Sequence, residues 1–239
     1  MGLKSSLREW IDDLLGVIYP NVCEICNTPL VRGEKLLCTQ CRIDMPRTGI
    51  HTDSFTVMHQ RLVSTDVNIC RAAGYFYYYR DNPYARLIQN AKYNGRPYIA
   101  RQLGYEYANE IKDSGFFDGI DAIIPVPMHK LKLWSRGFNQ SLHIAEGISK
   151  ATGIAVSEAL RATRRHSSQT TKGAYERWLN ATESYGLAPD ASLPEAGHVL
   201  IVDDVLTTGA TLLACARVIS EAFPSARVSV LTLGVTHLR

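Results

Sequence analysis

The sequence has no long apolar run and no strong surplus of either charge. No stretch approaches the roughly 18–20 consecutive apolar residues that a membrane span needs, so we predict no span. Arg8, Glu9 and Asp12 interrupt the N-terminal segment, which argues against a secretory signal and favours a cytoplasmic protein. The 239 residues carry 26 Lys and Arg against 23 Asp and Glu, and a net charge of +3 does not by itself indicate nucleic-acid binding. A hydrophobic content of 46% excludes a disordered chain.

Four of the six cysteines form two closely spaced pairs. The pairs are Cys23 with Cys26 and Cys38 with Cys41, each enclosing two residues. This pattern predicts a structural zinc site, because four thiolates surround Zn2+ tetrahedrally and leave no open position for catalysis. A redox dithiol and an iron–sulfur cluster are the alternatives, and two pairs rather than one favour zinc. We expect Cys70 and Cys215 to be buried apolar residues.

The hydrophobic pattern divides the chain into three parts. Residues 1–47 are predicted to hold an amphipathic helix at 7–18 and a zinc ribbon, residues 48–66 a linker, and residues 67–239 an α/β domain. Strands are predicted at 70–79, 121–126, 155–163, 198–202 and 228–235, and helices at 83–93, 99–111, 139–152 and 210–223. This alternation is typical of a parallel sheet flanked by helices.

The clearest chemical signal is the stretch VLIVDDVLTTGAT at 199–211. Four apolar residues predict a buried strand, Asp203 and Asp204 follow at its predicted end, and a turn with threonine and glycine begins the next helix. Ligands of parallel sheets bind beyond the carboxyl ends of the strands, and the free N–H groups of such a turn suit an anion. Carboxylates would repel a phosphate, so their presence indicates sugar hydroxyls or a metal. An ordinary helix start capped by Asp is the alternative.

This stretch resembles the phosphoribosyl pyrophosphate (PRPP) motif of type I phosphoribosyltransferases. The resemblance implies that Asp203 and Asp204 hold the ribose 2′- and 3′-hydroxyls and favour the cationic sugar of the transition state. It also implies that the turn holds the 5′-phosphate through Thr207, Thr208, Gly209, Ala210 and Thr211.

A second loop carries a cluster of cations. A buried strand ends at Val126 and Pro127, and Lys130, Lys132 and Arg136 follow. In the phosphoribosyltransferase fold the corresponding loop binds pyrophosphate, whereas taken alone the segment could be a solvated turn. Residues 125–180 contain nine Lys and Arg, three Glu and no Asp. Three of these cations lie on a polar segment that could close over pyrophosphate, contact nucleic-acid phosphates or remain solvated: Arg164, Arg165 and Lys172.

The order of the motifs identifies a family. AKYNGR at 91–96, PVP at 125–127, RGFNQS at 136–141, SQT at 168–170 and DDVLTTGAT follow the two cysteine pairs. This arrangement resembles the ComF family of bacterial competence-associated proteins, although the segment after Gln169 fits the family's Arg-rich pattern only loosely. The resemblance implies a type I phosphoribosyltransferase fold behind a zinc ribbon, PRPP bound with Mg2+, and a phosphate contact from Lys92. It also implies a link to uptake of transforming DNA, with single-stranded DNA and competence proteins such as a DNA-uptake helicase as partners.

The sequence does not identify an acceptor for the phosphoribosyl group. Glutamine-dependent amidotransfer is not expected, because the chain begins Met-Gly and about 65 residues precede the transferase domain. Three hypotheses remain: a phosphoribosyltransferase with an unknown acceptor, a PRPP-sensing accessory protein of DNA uptake, and a nucleic-acid-binding module that uses the ribbon and the basic loop.

Overall fold

The computed structural model describes residues 21–51, 57–79, 82–93, 95–163, 184–193 and 197–236. The predicted helix at 7–18 and the polar segment that carries Arg164, Arg165 and Lys172 lie outside these ranges. The chain forms two compact units, Met1–Met45 and Pro46–Arg239. Within the described ranges, no helix has both the length and the apolar character required to cross a membrane.

The first unit is organised around its cysteines. The short helix α1, Thr39–Ile43, is capped by Cys38, whose sulfur accepts a hydrogen bond from the Cys41 amide. An isolated bridge pairs Val22 with Pro29. The buried apolar residues of its described part are Cys23, Leu36, Leu37, Cys41 and Met45. Because two of these five are cysteines of the predicted metal site, the unit has a very small apolar core of its own.

The second unit alternates strands and helices over most of its length. Its strands are β1 Arg47–Ile50, β2 Ile69–Tyr77, β3 Ala122–Pro125, β4 Ala155–Val156, β5 Leu160–Ala162, β6 Tyr185–Leu187, β7 His198–Leu206 and β8 Arg227–Val235. Its α-helices are α2 Val57–Arg61, α3 Ala85–Tyr93, α4 Pro97–Ile111, α5 Lys130–Arg136, α6 Gln140–Thr152 and α7 Ala210–Ala222, and a 3-10 helix spans Lys112–Ser114.

Six strands form one sheet in the order β1-β2-β8-β7-β3-β4. All neighbours are parallel except β1, which pairs antiparallel with β2. This confirms the prediction of a mostly parallel α/β sheet. The central strands are almost continuously apolar and buried, as expected for strands covered on both faces.

The side chains of the central strands alternate between two helical layers. Ile124, Ile201 and Val230 share one core cluster with residues of α2 and α7, whereas α6 packs on β3 and β7 and also against α4. Gly147 of α6 permits this last approach, since a Cβ there would overlap the Arg101 backbone of α4. Helix α6 therefore lies in close backbone contact with α4.

Four sequence predictions are corrected. The segment 48–66, predicted as a linker, contributes β1 and α2, since backbone pairing with β2 needs no apolar pattern. The single strand predicted at 155–163 is two short strands in different sheets, β4 beside β3 and β5 beside β6. The cationic loop contains α5. Finally, Cys70 is exposed, whereas Cys215 is buried as predicted.

Candidate functional site

The acidic pair lies within β7 rather than after it. Pairing with β8 continues through Asp203, opposite Thr232, to Leu206, opposite Val235. The prediction that the strand ends before the acids is therefore wrong, because the neighbouring parallel strand supplies hydrogen bonds that the local sequence does not reveal. Both carboxylates are still near the carboxyl end of a central strand, where parallel sheets bind ligands.

The turn after β7 is built around Gly209. Its φ of 84° lies in the left-handed region, and α7 begins at the next residue. A Cβ at this position would lie 2.7 Å from the carbonyl oxygen of Arg61. Arg61 also donates from its guanidinium to the Leu206 carbonyl at 3.4 Å and to Thr236 Oγ1 at 2.9 Å. The end of α2 therefore packs directly against the turn that precedes α7.

Each acid has a distinct set of partners. Asp203 Oδ1 accepts hydrogen bonds from Ser141 Oγ at 3.0 Å and from the Asp204 amide at 2.9 Å. Asp204 Oδ2 lies 2.7 Å from Lys92 Nζ in a largely buried ion pair. Burial and the nearby Asp204 charge raise the pKa of Asp203 from its ordinary 3.8 to about 7. Asp203 therefore titrates near neutral pH.

The cationic loop and the start of α6 are joined by side-chain hydrogen bonds. Asn139 caps α6 by accepting from the Ser141 amide at 3.1 Å, and its Nδ2 donates to the Val126 carbonyl at 3.0 Å. Gln140 Oε1 accepts from Arg136 at 2.9 Å. The loop backbone and one of its cations are thus held by the first turn of α6.

One cavity of about 280 Å3 joins these features. Its lining comprises Val126, Pro127, Met128, His129, Lys132, Arg136, Asn139, Gln140, Ser141, Ala162, Tyr185, Asp203, Asp204 and Thr211. The cavity has an acidic side on β7 and a cationic side on the loop after β3. This arrangement suits a ligand that carries both hydroxyls and anionic groups.

The structure brings together most of the residues predicted for the site. Asp203, Asp204 and Thr211 share the cavity with four predicted residues of the second loop, Val126, Pro127, Lys132 and Arg136. The other predicted residues of this segment do not line the cavity: Thr207, Thr208 and Gly209 form the turn between β7 and α7, and Ala210 is the first residue of α7. Lys130 is exposed on α5 outside the lining, and Lys92 contacts Asp204. Arg164, Arg165 and Lys172 lie outside the described residues.

Seven lining residues were not predicted as site residues: Met128, His129, Asn139, Gln140, Ser141, Ala162 and Tyr185. Asn139, Gln140 and Ser141 belong to the RGFNQS motif, of which only Arg136 was assigned a role, so a sequence signal for these three was present. Tyr185 on β6 hydrogen-bonds to Thr211, and burial raises the pKa of its phenol. No local pattern marks Tyr185, because only the pairing of β5 with β6 brings it to the cavity.

The four N-terminal cysteines form a separate candidate site. Their sulfur atoms all lie within 4.8 Å of one another, and Cys26 Sγ is 3.6 Å from Cys38 Sγ. A tetrahedral site with Zn–S bonds of about 2.3 Å separates its sulfurs by about 3.8 Å. The donor set and spacing therefore fit a four-thiolate metal site, and the cluster could hold a metal ion.

Comparison with known proteins places these features in context. No family model matches the sequence. The chain is 30% identical over 224 residues to the DNA utilization protein YhgH of Escherichia coli (strain K12), and the match covers 84% of this chain and 91% of that protein. It is 29% identical over 134 residues to competence protein F of Haemophilus influenzae, covering 54% of this chain and 58% of that protein.

Among solved structures, the chain is similar to adenine phosphoribosyltransferases. That of Saccharomyces cerevisiae shares 14% identity and a TM-score of 0.38, covering 58% of this chain and 69% of that chain. That of Trypanosoma brucei shares 13% identity and a TM-score of 0.39, covering 67% and 83%. A relationship of 30% identity that spans nine-tenths of a curated relative shows the family of this chain, whose sheet is mostly parallel: the chain belongs to the ComF family.

Proposed function

We propose that this chain binds PRPP together with Mg2+ in the β7 cavity and transfers its phosphoribosyl group to an acceptor. The observation that carries the proposal is the shared cavity, in which Asp203 and Thr211 face the loop of Lys132 and Arg136. Acids that bind hydroxyls and cations that bind pyrophosphate are needed together only for a ligand that carries both sugar hydroxyls and a pyrophosphate group. A solvated loop or an ordinary helix start would not require the two segments to meet.

In this reaction the bond between the ribose anomeric carbon and pyrophosphate breaks, and a bond to the acceptor forms with loss of the acceptor's proton. The sugar becomes cationic in the transition state, so Asp203 and Asp204 would favour it electrostatically. Lys132 and Arg136 would stabilise the charge on the leaving pyrophosphate. Mg2+ that enters with PRPP would neutralise part of that charge.

Calorimetric titration with PRPP and Mg2+ tests the site. We expect saturable binding by the wild-type protein and loss of binding in Asp203→Asn/Asp204→Asn, because this variant removes both carboxylates without changing side-chain size. Asp113→Asn/Asp118→Asn is the matched control, since it removes two exposed acids elsewhere. Absence of wild-type binding at millimolar PRPP, or unchanged binding by the Asp203 and Asp204 variant, would contradict the proposal.

Pyrophosphate release separates transfer from sensing. Release that depends on an added base or amine would establish a phosphoribosyltransferase, whereas tight binding without release would favour a PRPP-sensing accessory protein.

We further propose that the four cysteines bind structural Zn2+. Two relatives are a DNA utilization protein and a competence protein, and this supports a role in DNA uptake beside other competence proteins such as a DNA-uptake helicase.

A specific surface favours direct binding of single-stranded DNA as a second function. Helix α5 has no buried residue, and Trp134 on it is 89% exposed. Leu131 is 52% exposed, and Lys130 and Lys132 lie beside them. No Asp or Glu occurs from 122 to 145. An exposed indole among cations suits stacking of a base beside bound phosphates.

Replacing Trp134 tests this second function. We expect Trp134→Ala to weaken binding of oligo(dT) by about 10-fold, because base stacking on an aromatic side chain contributes about 1–3 kcal/mol. Trp134→Phe should retain most of the affinity. Fluorescence anisotropy with labelled oligo(dT) measures the change, and Val63→Ala, at another exposed apolar position, is the control. Equal affinities of Trp134→Ala and wild type would exclude α5 as the binding surface.

A further inference from the structure

The first turn of α6 connects three parts of the cavity. Asn139 bonds to the Val126 carbonyl of the cationic loop, and Gln140 accepts from Arg136. Ser141 reaches Asp203 on β7, 62 residues later in the chain. One turn of one helix therefore sets the position of the cationic loop relative to the acidic strand.

The contact between Ser141 and Asp203 is directional. Asp203 Oδ1 accepts two hydrogen bonds, from Ser141 Oγ and from the Asp204 amide. Among the described residues, none donates a hydrogen bond to Asp203 Oδ2. Two donors on one oxygen fix the plane of the carboxylate, and they leave the other oxygen available to a ligand.

The surroundings of Ser141 favour donation of its hydroxyl hydrogen bond to Asp203. Ser141 is buried, with 5% of the residue exposed, and α4 packs closely on α6 one turn later, where Gly104 meets the Ile144 backbone. Asp203 is also surrounded by other titratable groups: Asp204 on its own strand, Lys92 on α3, Tyr185 on β6 and Cys215 on α7. The cationic side of the cavity carries Lys132 and Arg136, and His129 lies beside them.

We propose that Ser141 is a positioning residue that orients the Asp203 carboxylate toward a ribose hydroxyl of the bound ligand. The role rests on the proposed PRPP site and deepens it. Ser141 acts on the ribose through Asp203, while Asn139 of the same turn holds the pyrophosphate side. Removing the Ser141 hydroxyl should therefore affect recognition of the sugar and spare recognition of pyrophosphate.

Comparison of two probes tests this role. We expect Ser141→Ala to bind PRPP with Mg2+ about 10-fold more weakly than wild type, because a hydrogen bond to a charged group is lost. Inorganic pyrophosphate with Mg2+, which has no ribose, should bind both proteins equally. Ser149→Ala is the matched control, since it makes the same substitution two turns later on the same helix.

A second measurement distinguishes orientation from general damage. Ser141 stabilises the ionised form of Asp203, so in Ser141→Ala the pH at which PRPP affinity is half-maximal should move upward, whereas Ser149→Ala should keep the wild-type midpoint. Wild-type PRPP affinity in Ser141→Ala, or equal weakening of PRPP and pyrophosphate, would overturn the positioning role alone. Failure of the wild-type protein to bind PRPP would remove the proposed site and, with it, any role of Ser141 there.

Discussion

Cys38→Ser/Cys41→Ser is expected to lose bound zinc and to unfold residues 21–45. The described part of this unit buries only Leu36, Leu37 and Met45 besides two of the cysteines. A core this small cannot offset the conformational entropy of the segment. Binding of structural zinc contributes about 10–16 kcal/mol to the folding of zinc-finger peptides. Loss of the metal should therefore be the largest single change in the folding free energy of this unit.

Metal analysis and limited proteolysis measure this result. Wild type should contain one zinc per chain and resist cleavage between 21 and 45, whereas the double variant should contain almost none and be cut there. A strong chelator should reproduce the cleavage in wild type. Cys70→Ser is the control, because Cys70 is an exposed cysteine outside the cluster. Zinc retained at one per chain in the double variant would refute the four-cysteine site.

The features predictable from sequence were those with strong local signals. Continuous apolar runs marked the central strands β3, β7 and β8, because these strands are buried on both faces. The metal site could be predicted from the spacing of the two cysteine pairs alone. The acidic turn was recognisable because its acids, threonines and glycine are adjacent in the chain, so a single segment carries the pattern.

The features that the sequence did not predict depend on tertiary contacts. Strand β1 has little apolar character and exists through pairing with β2. Helix α5 has no buried face, so its leucines and tryptophan do not follow an amphipathic period. The contact of Ser141 with Asp203 and that of Lys92 with Asp204 each join distant segments. A sequence window cannot contain both partners, so the organisation of the site became visible only in the folded chain.

The buried acid leads to a prediction in which stability and binding change in opposite directions. Asp203 has a pKa raised from 3.8 to about 7 by burial and by Asp204. The folded protein therefore retains a proton on Asp203 over a pH range in which the unfolded chain has lost it. By linkage, the free energy of unfolding decreases as the pH rises from about 4 to about 7, and the lost stability is not regained at higher pH.

Asp203→Asn should therefore stabilise the ligand-free protein at pH 8 and have little effect at pH 4. Asparagine is neutral, and its Oδ1 can still accept from Ser141 and from the Asp204 amide. One pKa unit corresponds to about 1.4 kcal/mol, so the full shift sets an upper limit of about 4 kcal/mol. Asp203 lines an open cavity, where solvent screens its charge, and we therefore expect a gain of about 1–3 kcal/mol at pH 8, or several degrees in melting temperature. Thermal unfolding at both pH values measures the gain, with exposed Asp113→Asn as the control.

The same substitution should weaken PRPP binding by about 10-fold or more, because the side-chain atom that faces the ligand becomes an amide donor in place of a charged acceptor. A residue that lowers the stability of the free protein while improving recognition is typical of a binding site, where charge is buried in readiness for a ligand. If Asp203→Asn instead lowered the melting temperature at pH 8, the Asp203 carboxylate would be a structural acid stabilised by Lys92 and Ser141. The calorimetric loss in the Asp203→Asn/Asp204→Asn variant would then reflect damage to the fold rather than removal of a ribose contact.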